Sequence, residues 1–281
     1  ALTICTLDQL IDFIFKYQGF EMKLATLSYS KLVLDEIQAY NSSFLAYLIV
    51  ALRYINKIGG KFCIMSATFP SFLLELFKEN DINVKVSNNF VKKNKQGEAM
   101  KRHKVTTIDE EINAFDIARN YKNKKILVIV NTVKKAQELY DEIKSMHLDT
   151  SINMFHSRFT KIDRRIKESD IFNFGQLSTK GEGIWITTQV VEASLDIDFD
   201  VLYTELSDIN SLLQRLGRCY RNRELEENSA TNIFVYTKNC SGVGLFIDKD
   251  IFNLSKKAIL NMKDYELSEE EKFELVDKVY D

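Results

Sequence analysis

Gln214, Arg218 and Arg221 are separated by four and then three residues. A helix over 209–221 would set all three on one face, because 3.6 residues complete a turn. Guanidinium groups stacked there would suit a phosphate chain, being permanently charged and forked to match phosphate oxygens. An amphipathic surface helix with Leu212 and Leu216 turned to a core reads the same way. Asp35 and Glu36 close the apolar run KLVL. Paired carboxylates at a strand end can divide labour, one holding Mg²⁺ and the other polarising a water. A strand followed by an acidic helix cap has the same pattern. Ser66 and Thr68 close a second apolar run and read either as a helix cap or as a hydroxyl relay.

Elements of suitable type stand where these residues need them. KLVLDE (31–36) reads as a buried strand, followed by a helix through SSFLAYLIVALRYINKI. KFCIMSAT (61–68) reads as a second strand and SFLLELFKEN as a helix. After a polar, basic stretch at 88–104 the alternation resumes. KKILVIV, SINMF, GIWITT, DVLYTEL and TNIFVYT are strands, interleaved with helices at VKKAQELYDEIK, KIDRRIKESDIF and 209–221. Alternation of this kind predicts α/β domains around mainly parallel sheets. The stretch 88–104 reads as an interdomain connection carrying His103. The segment from Asp248 reads as helical and charged.

A length of 281 residues leads to an expectation of two domains, and 45% hydrophobic residues suffice for their cores. A net charge of −2 supplies no global basic field, so any nucleic acid must be held by local clusters. Cys5, Cys63, Cys219 and Cys240 form no C-x-x-C pair; Cys63, inside an apolar run, reads as a small buried hydrophobe. Their scatter fits a reducing cytoplasm. No apolar run has bilayer-spanning length, so no membrane partner is expected. The chain opens on Ala1 rather than Met, in ordered-looking sequence, which leads us to expect a piece of a larger protein.

Several motifs occur in a telling order. LDEIQAY resembles the Walker B motif of superfamily-two helicases, MSATFP their third motif and QRLGRCYR their sixth. CTLDQL (5–10), LDEIQAYN (34–41), FHSRFTKIDR (155–164) and TTQVVEASLDIDFD (187–200) resemble the helicase region of the CRISPR-associated helicase-nuclease of type I interference systems. A generic DEAD-box RNA helicase would carry DEAD, and an ARG-like tripeptide where this chain has EAS.

The resemblance implies two RecA-like domains with mainly parallel sheets, the first truncated at its N-terminus. Residues 1–100 would be the partial first domain, 101–247 the second and 248–281 a helical extension. It implies ATP and Mg²⁺ as cofactors, with single-stranded DNA and an RNA-guided surveillance complex as partners. Asp35 and Glu36 would handle Mg²⁺ and the attacking water, while Ser66 and Thr68 would couple nucleotide state to domain closure. Gln214, Arg218 and Arg221 would reach the γ-phosphate, with Arg218 or Arg221 as the arginine finger. Asp196 would touch the ribose. Thr6, Gln9, Thr188 and Gln189 would follow the nucleic-acid strand, and Asn131 and Thr132 would contact its phosphates.

The sequence departs from the family in two ways. No G-x-x-x-x-G-K-[ST] phosphate loop occurs in it, and Gly59-Gly60-Lys61 lies after the Walker B residues. None of His103, His147 and His156 is followed by Asp, so the family's HD nuclease is not represented. The expectation is an ATP-dependent translocase whose residues 1–281 alone are inactive. A non-catalytic nucleic-acid-binding piece and a DEAD-box-like RNA helicase are the alternatives.

Overall fold

The computed structural model describes residues 2–37, 40, 42–66, 69, 71–87, 91–192 and 195–280. The chain divides into two compact units, residues 1–89 with 280–281 and residues 90–279. The division falls inside the polar stretch 88–104.

In the first unit, helices α1 (Leu7–Ile11) and α2 (Phe20–Leu27) precede strand β1 (Lys31–Asp35), helix α3 (Ser42–Lys57), strand β2 (Lys61–Met65) and helix α4 (Ser71–Glu79). β1 and β2 pair in parallel, Lys31 opposite Lys61 and Asp35 opposite Met65. Leu48, Leu52 and Ile55 of α3 pack with Leu73 and Phe77 of α4 and with Leu34. α3 stops at a Schellman turn. Gly59 takes φ 96° and donates to Asn56 O, while Gly60 donates to Ile55 O. A Cβ on Gly60 would lie 2.4 Å from Leu27 O, so this glycine pair serves helix termination and close packing.

The strands of this sheet are not the buried strands that their apolar sequence predicts. Only Leu34 of β1 is buried; Val33 is 63% exposed and Met65 49%. Cys63, expected inside, is exposed as well. Two paired strands cover each other's edges, whereas their faces need packed layers, and parallel sheets ordinarily have both faces covered.

The second unit is built on a seven-stranded sheet. Its strands are β3 (His103–Ile108), β4 (Lys125–Ile129), β5 (Ser151–Phe155), β6 (Gly183–Thr187), β7 (Val201–Glu205), β8 (Ile233–Tyr236) and β9 (Tyr265–Leu267). The order is β5-β6-β4-β7-β8-β3-β9, parallel throughout except for antiparallel β9. Helices α5 (Ala114–Arg119), α6 (Val133–Ser145), α7 (Lys161–Phe174), α8 (Ile209–Leu216), α9 (Lys249–Ala258) and α10 (Glu269–Tyr280) complete the chain. Ile126, Val128 and Val130 of the central strand region are fully buried with Ile184, Ile186 and Leu139. Each such side chain contributes about 1.5–3 kcal/mol of burial.

Three expectations are corrected here. His103 does not lie in a linker: it is buried in β3, paired with β8 and β9. The segment after Asp248 is not wholly helical, since β9 adds to the sheet between α9 and α10. The helix expected over 209–221 ends at Leu216, and Phe199 and Cys219 form a β-bridge beyond it. Phe199 N donates to Arg218 O and Tyr220 N to Phe199 O, so tertiary pairing replaces the helical bonds. Arg218 and Arg221 therefore do not share a helical face with Gln214. No helix of the described residues is long and apolar enough to cross a membrane.

Candidate active site

Asp35 ends β1, and Ser66 follows the last residue of β2, so both stand at the C-terminal edge of one parallel pair. Ligands of open α/β sheets bind at that edge. Glu36 takes φ 53°, in the left-handed region, and its N–H donates to Met65 O at 3.1 Å. This conformation carries strain of roughly 1–3 kcal/mol for a non-glycine residue, a cost common where side chains must be aimed. Asp35 and Glu36 are exposed. Exposed, hard carboxylate oxygens suit Mg²⁺, which keeps part of its water shell. Thr68 lies outside the described residues.

Thr6 and Gln9 form a capping box at α1: Gln9 Oε1 accepts from Thr6 N at 3.3 Å. The box gives both residues a local structural task, and both sit outside the β1–β2 edge.

In the second unit, Asn131 with Thr132 and Thr188 with Gln189 follow the neighbouring strands β4 and β6. Gln189 Nε2 donates to Asn131 O at 2.7 Å, tying the two strand ends together. Thr132 caps α6, accepting from Lys135 N. The Asn131 side chain faces inward. Its Nδ2 donates to Leu206 O at 2.9 Å, and its Oδ1 accepts from Arg215 Nη2 at 2.8 Å. At the end of β5 the buried His156 stacks on Phe159 with ring centroids 4.3 Å apart. Its Nδ1 accepts from Arg158 N, and burial lowers its pKa.

The segments 189–192, 195–200 and 217–223 are stitched by a ladder of arginines. Arg215, fully buried, donates from Nε to Glu192 Oε1 at 2.7 Å and from Nη1 to Glu205 O at 2.7 Å. Burial pushes the Glu192 carboxyl above its usual range, and the Arg215 charge pulls it back. Arg218 is also buried; its Nη1 donates to Leu195 O at 2.7 Å and its Nη2 to Glu192 O at 2.5 Å. Arg221 pairs with Asp196, Nε to Oδ1 at 2.7 Å, with the two side chains 37% and 69% exposed. Arg223 closes the ladder on Asp198 and Asp200. Gln214 is half-buried on α8. Of the three arginines at 215, 218 and 221, the last holds its guanidinium in an outward ion pair with another sequence-predicted site residue.

Glu192, Arg215, Asp198 and Arg223 were not singled out as site residues from sequence. Glu192 opens the EAS tripeptide and Arg215 sits inside QRLGR, but nothing in their spacing announces a mutual pair. Ala193 and Ser194 of that tripeptide lie outside the described residues.

The order of the mainly parallel sheet and the polar residues at its strand ends define a RecA-like α/β fold. Residues 122–224 match the family described as CRISPR-associated nuclease/helicase Cas3, C-terminal. The chain is 32% identical over 277 residues to the CRISPR-associated nuclease/helicase Cas3 of Methanothermobacter thermautotrophicus, covering 93% of this chain and 32% of that protein. It is 30% identical over 246 residues to the Streptococcus thermophilus protein of the same name, covering 78% of this chain and 27% of the relative. The solved structure of T. fusca Cas3 with ATP superposes with a TM-score of 0.80 at 20% identity, over 98% of this chain and 38% of that one. A chain in a solved structure described as a CRISPR RNA-guided surveillance complex, pre-nicking, gives a TM-score of 0.72 at 19% identity, over 98% of this chain and 40% of that one. The family match and the curated relatives make the chain Cas3-like, and the solved structures share its fold. It spans about a third of the length of these curated relatives.

Proposed function

We propose that this chain carries the motor of a type I CRISPR interference protein, coupling ATP hydrolysis to translocation along single-stranded DNA. The observation that carries the reading is Arg221. Its neighbours Arg215 and Arg218 are committed to buried acceptors, while its own guanidinium is held outward in an ion pair with Asp196. In this reading Arg221 is the arginine finger, and Arg218 acts by fixing the backbone at Glu192 and Leu195. The T. fusca proteins sharing the fold carry ATP, AMPPNP and ADP, and we extend that ligand to this chain.

The roles then divide by chemistry. Asp35 would hold Mg²⁺ through its water shell and Glu36 would polarise the attacking water. Ser66 and Thr68 would sense the nucleotide beside them. Asp196 would exchange Arg221 for the ribose when nucleotide binds, releasing the guanidinium toward phosphate. Gln214 would line the same approach. Thr188, Gln189 and Thr132 offer hydroxyl and amide groups at strand ends to the nucleic-acid backbone, while Asn131 supports them from beneath. Thr6 and Gln9 would extend the strand path in the first unit. Recruitment by an RNA-guided surveillance complex, and a cytoplasmic setting, accompany this function.

The non-catalytic alternative draws on the missing G-x-x-x-x-G-K-[ST] sequence. We expect residues 1–281 alone to hydrolyse ATP weakly or not at all, and robust turnover by this segment would overturn that. In the native protein, ATP hydrolysis stimulated by single-stranded DNA separates the motor from a passive binder. Equal or stronger stimulation by RNA would favour the RNA-helicase reading.

A further inference from the structure

His103 is buried in β3 with both ring nitrogens engaged. Nε2 lies 2.9 Å from Cys219 O, and Nδ1 lies 2.9 Å from Lys272 Nζ of α10. The two partners fix the tautomer. A carbonyl only accepts and an ammonium only donates, so the proton sits on Nε2 and the lone pair on Nδ1. Burial, reinforced by Lys272 and Arg102, drives the imidazole pKa well down and keeps the ring neutral. Lys272 in turn donates to Glu269 Oε1 at 2.6 Å. Glu269 also accepts from Arg102 Nη2 at 2.7 Å, and Arg102 Nη1 donates to Arg221 O at 3.1 Å.

Two carbonyls of the arginine loop, at Cys219 and Arg221, are thus gripped by adjacent residues, His103 at the start of β3 and Arg102 just before it. Both gripping side chains are oriented from α10. Between those carbonyls Tyr220 takes φ 48°, a left-handed conformation that a tyrosine adopts only when its surroundings enforce it. Lys92 adds a second donor to Arg221 O at 3.4 Å.

We propose that α10 and β3 set the position of Arg221 through the relay Glu269–Lys272–His103–Cys219 O. His103 and Lys272 are then positioning residues for the finger, although neither belongs to a helicase motif in the sequence. The inference rests on the reading that Arg221 acts on nucleotide phosphate.

The test uses the native protein with His103→Leu, His103→Gln and Arg221→Ala, measuring strand-stimulated ATP hydrolysis and single-stranded DNA affinity. Leucine removes the donor to Cys219 O, whereas the glutamine amide nitrogen reaches about as far as imidazole Nε2 and restores it. We expect His103→Leu to lower kcat per folded molecule by about tenfold or more, with strand Kd within about twofold, and His103→Gln to recover most of the loss. Unchanged kcat in His103→Leu, or equal losses in both variants, would overturn the proposal. Should His103→Leu fold too poorly to assay, ¹⁵N-histidine spectra of the unmodified protein decide instead. A neutral His103 protonated on Nε2 is expected; an Nδ1–H tautomer or an imidazolium at pH 7.5 would overturn it. Full hydrolysis by Arg221→Ala would remove the finger reading while leaving the tautomer result intact, so the two failures are distinguishable.

Discussion

Arg215 Nε and Glu192 Oε1 are 2.7 Å apart, and the arginine side chain has no exposed surface. This pair joins α8 to the segment after β6, with Thr204, Glu205 and Asn131 accepting three of the four remaining guanidinium hydrogens. A buried pair adds little over a well-packed apolar one, but losing one partner strands a charge. Arg215→Met is therefore expected to destabilise the protein by about 3–5 kcal/mol in urea titrations. A change below about 1 kcal/mol, the range of an exposed pair, would show that the network is not structural.

Arg218 and Arg221 should separate by variant. Arg221→Ala removes an outward side chain, so the melting temperature should hardly move while turnover falls by roughly 10³ or more, as for fingers of comparable enzymes. Arg218→Ala removes two buried hydrogen bonds to Leu195 O and Glu192 O. It should lower both turnover and melting temperature, and leave strand affinity largely intact. Paired thermal melts and ATPase assays check the contrast. A stable Arg218→Ala with wild-type turnover, beside an Arg221→Ala that unfolds, would reverse the assignment.

His103 makes a pH prediction with a definite sign. Burial sets its folded pKa well below the ordinary 6.5, so below that pH the unfolded chain takes up a proton that the folded chain refuses. Stability is complete above pH 6.5 and falls as the pH drops toward the folded value. The slope from this one group is at most about 1.4 kcal/mol per pH unit. Urea midpoints at pH 7 and 5 should diverge less in His103→Gln than in the unsubstituted protein. Equal pH dependence in the two would contradict the buried, neutral imidazole.

The alternation of apolar runs with amphipathic helices foretold β1, β2, β4 to β8 and most helices, because buried strands and helices impose their own periods. β3 escaped notice because Lys101, Arg102 and Lys104 surround His103 and mask the short run VTTI. A histidine among lysines looks solvated until α10, about 170 residues later, supplies its partner. The early end of α8 was hidden for the same kind of reason. Leu212 and Leu216 keep a helical period up to Gly217, but Phe199 pairs with the chain just beyond it. Exposure on the β1–β2 sheet was equally illegible, since apolar residues such as Val33 and Cys63 have the same sequence signature covered or bare. The chemistry-bearing types at the strand ends were legible; their partition into outward and inward side chains was not.

Strand binding should be strongly salt-dependent. For single strands the affinity falls with a log–log slope of about −0.7 per phosphate neutralised. Thr188→Ala and Gln189→Ala should weaken binding with little change in that slope, since neither residue carries charge. Fluorescence titrations of single-stranded DNA across a salt series measure both quantities. A salt-independent affinity would rule out backbone recognition.

The most direct measurement is steady-state ATP hydrolysis by the native protein, with and without single-stranded DNA, beside Glu36→Gln and Arg221→Ala. A working motor predicts stimulation by the strand that both substitutions abolish while each variant still binds DNA. Hydrolysis indifferent to the strand, or surviving in both variants, would contradict it.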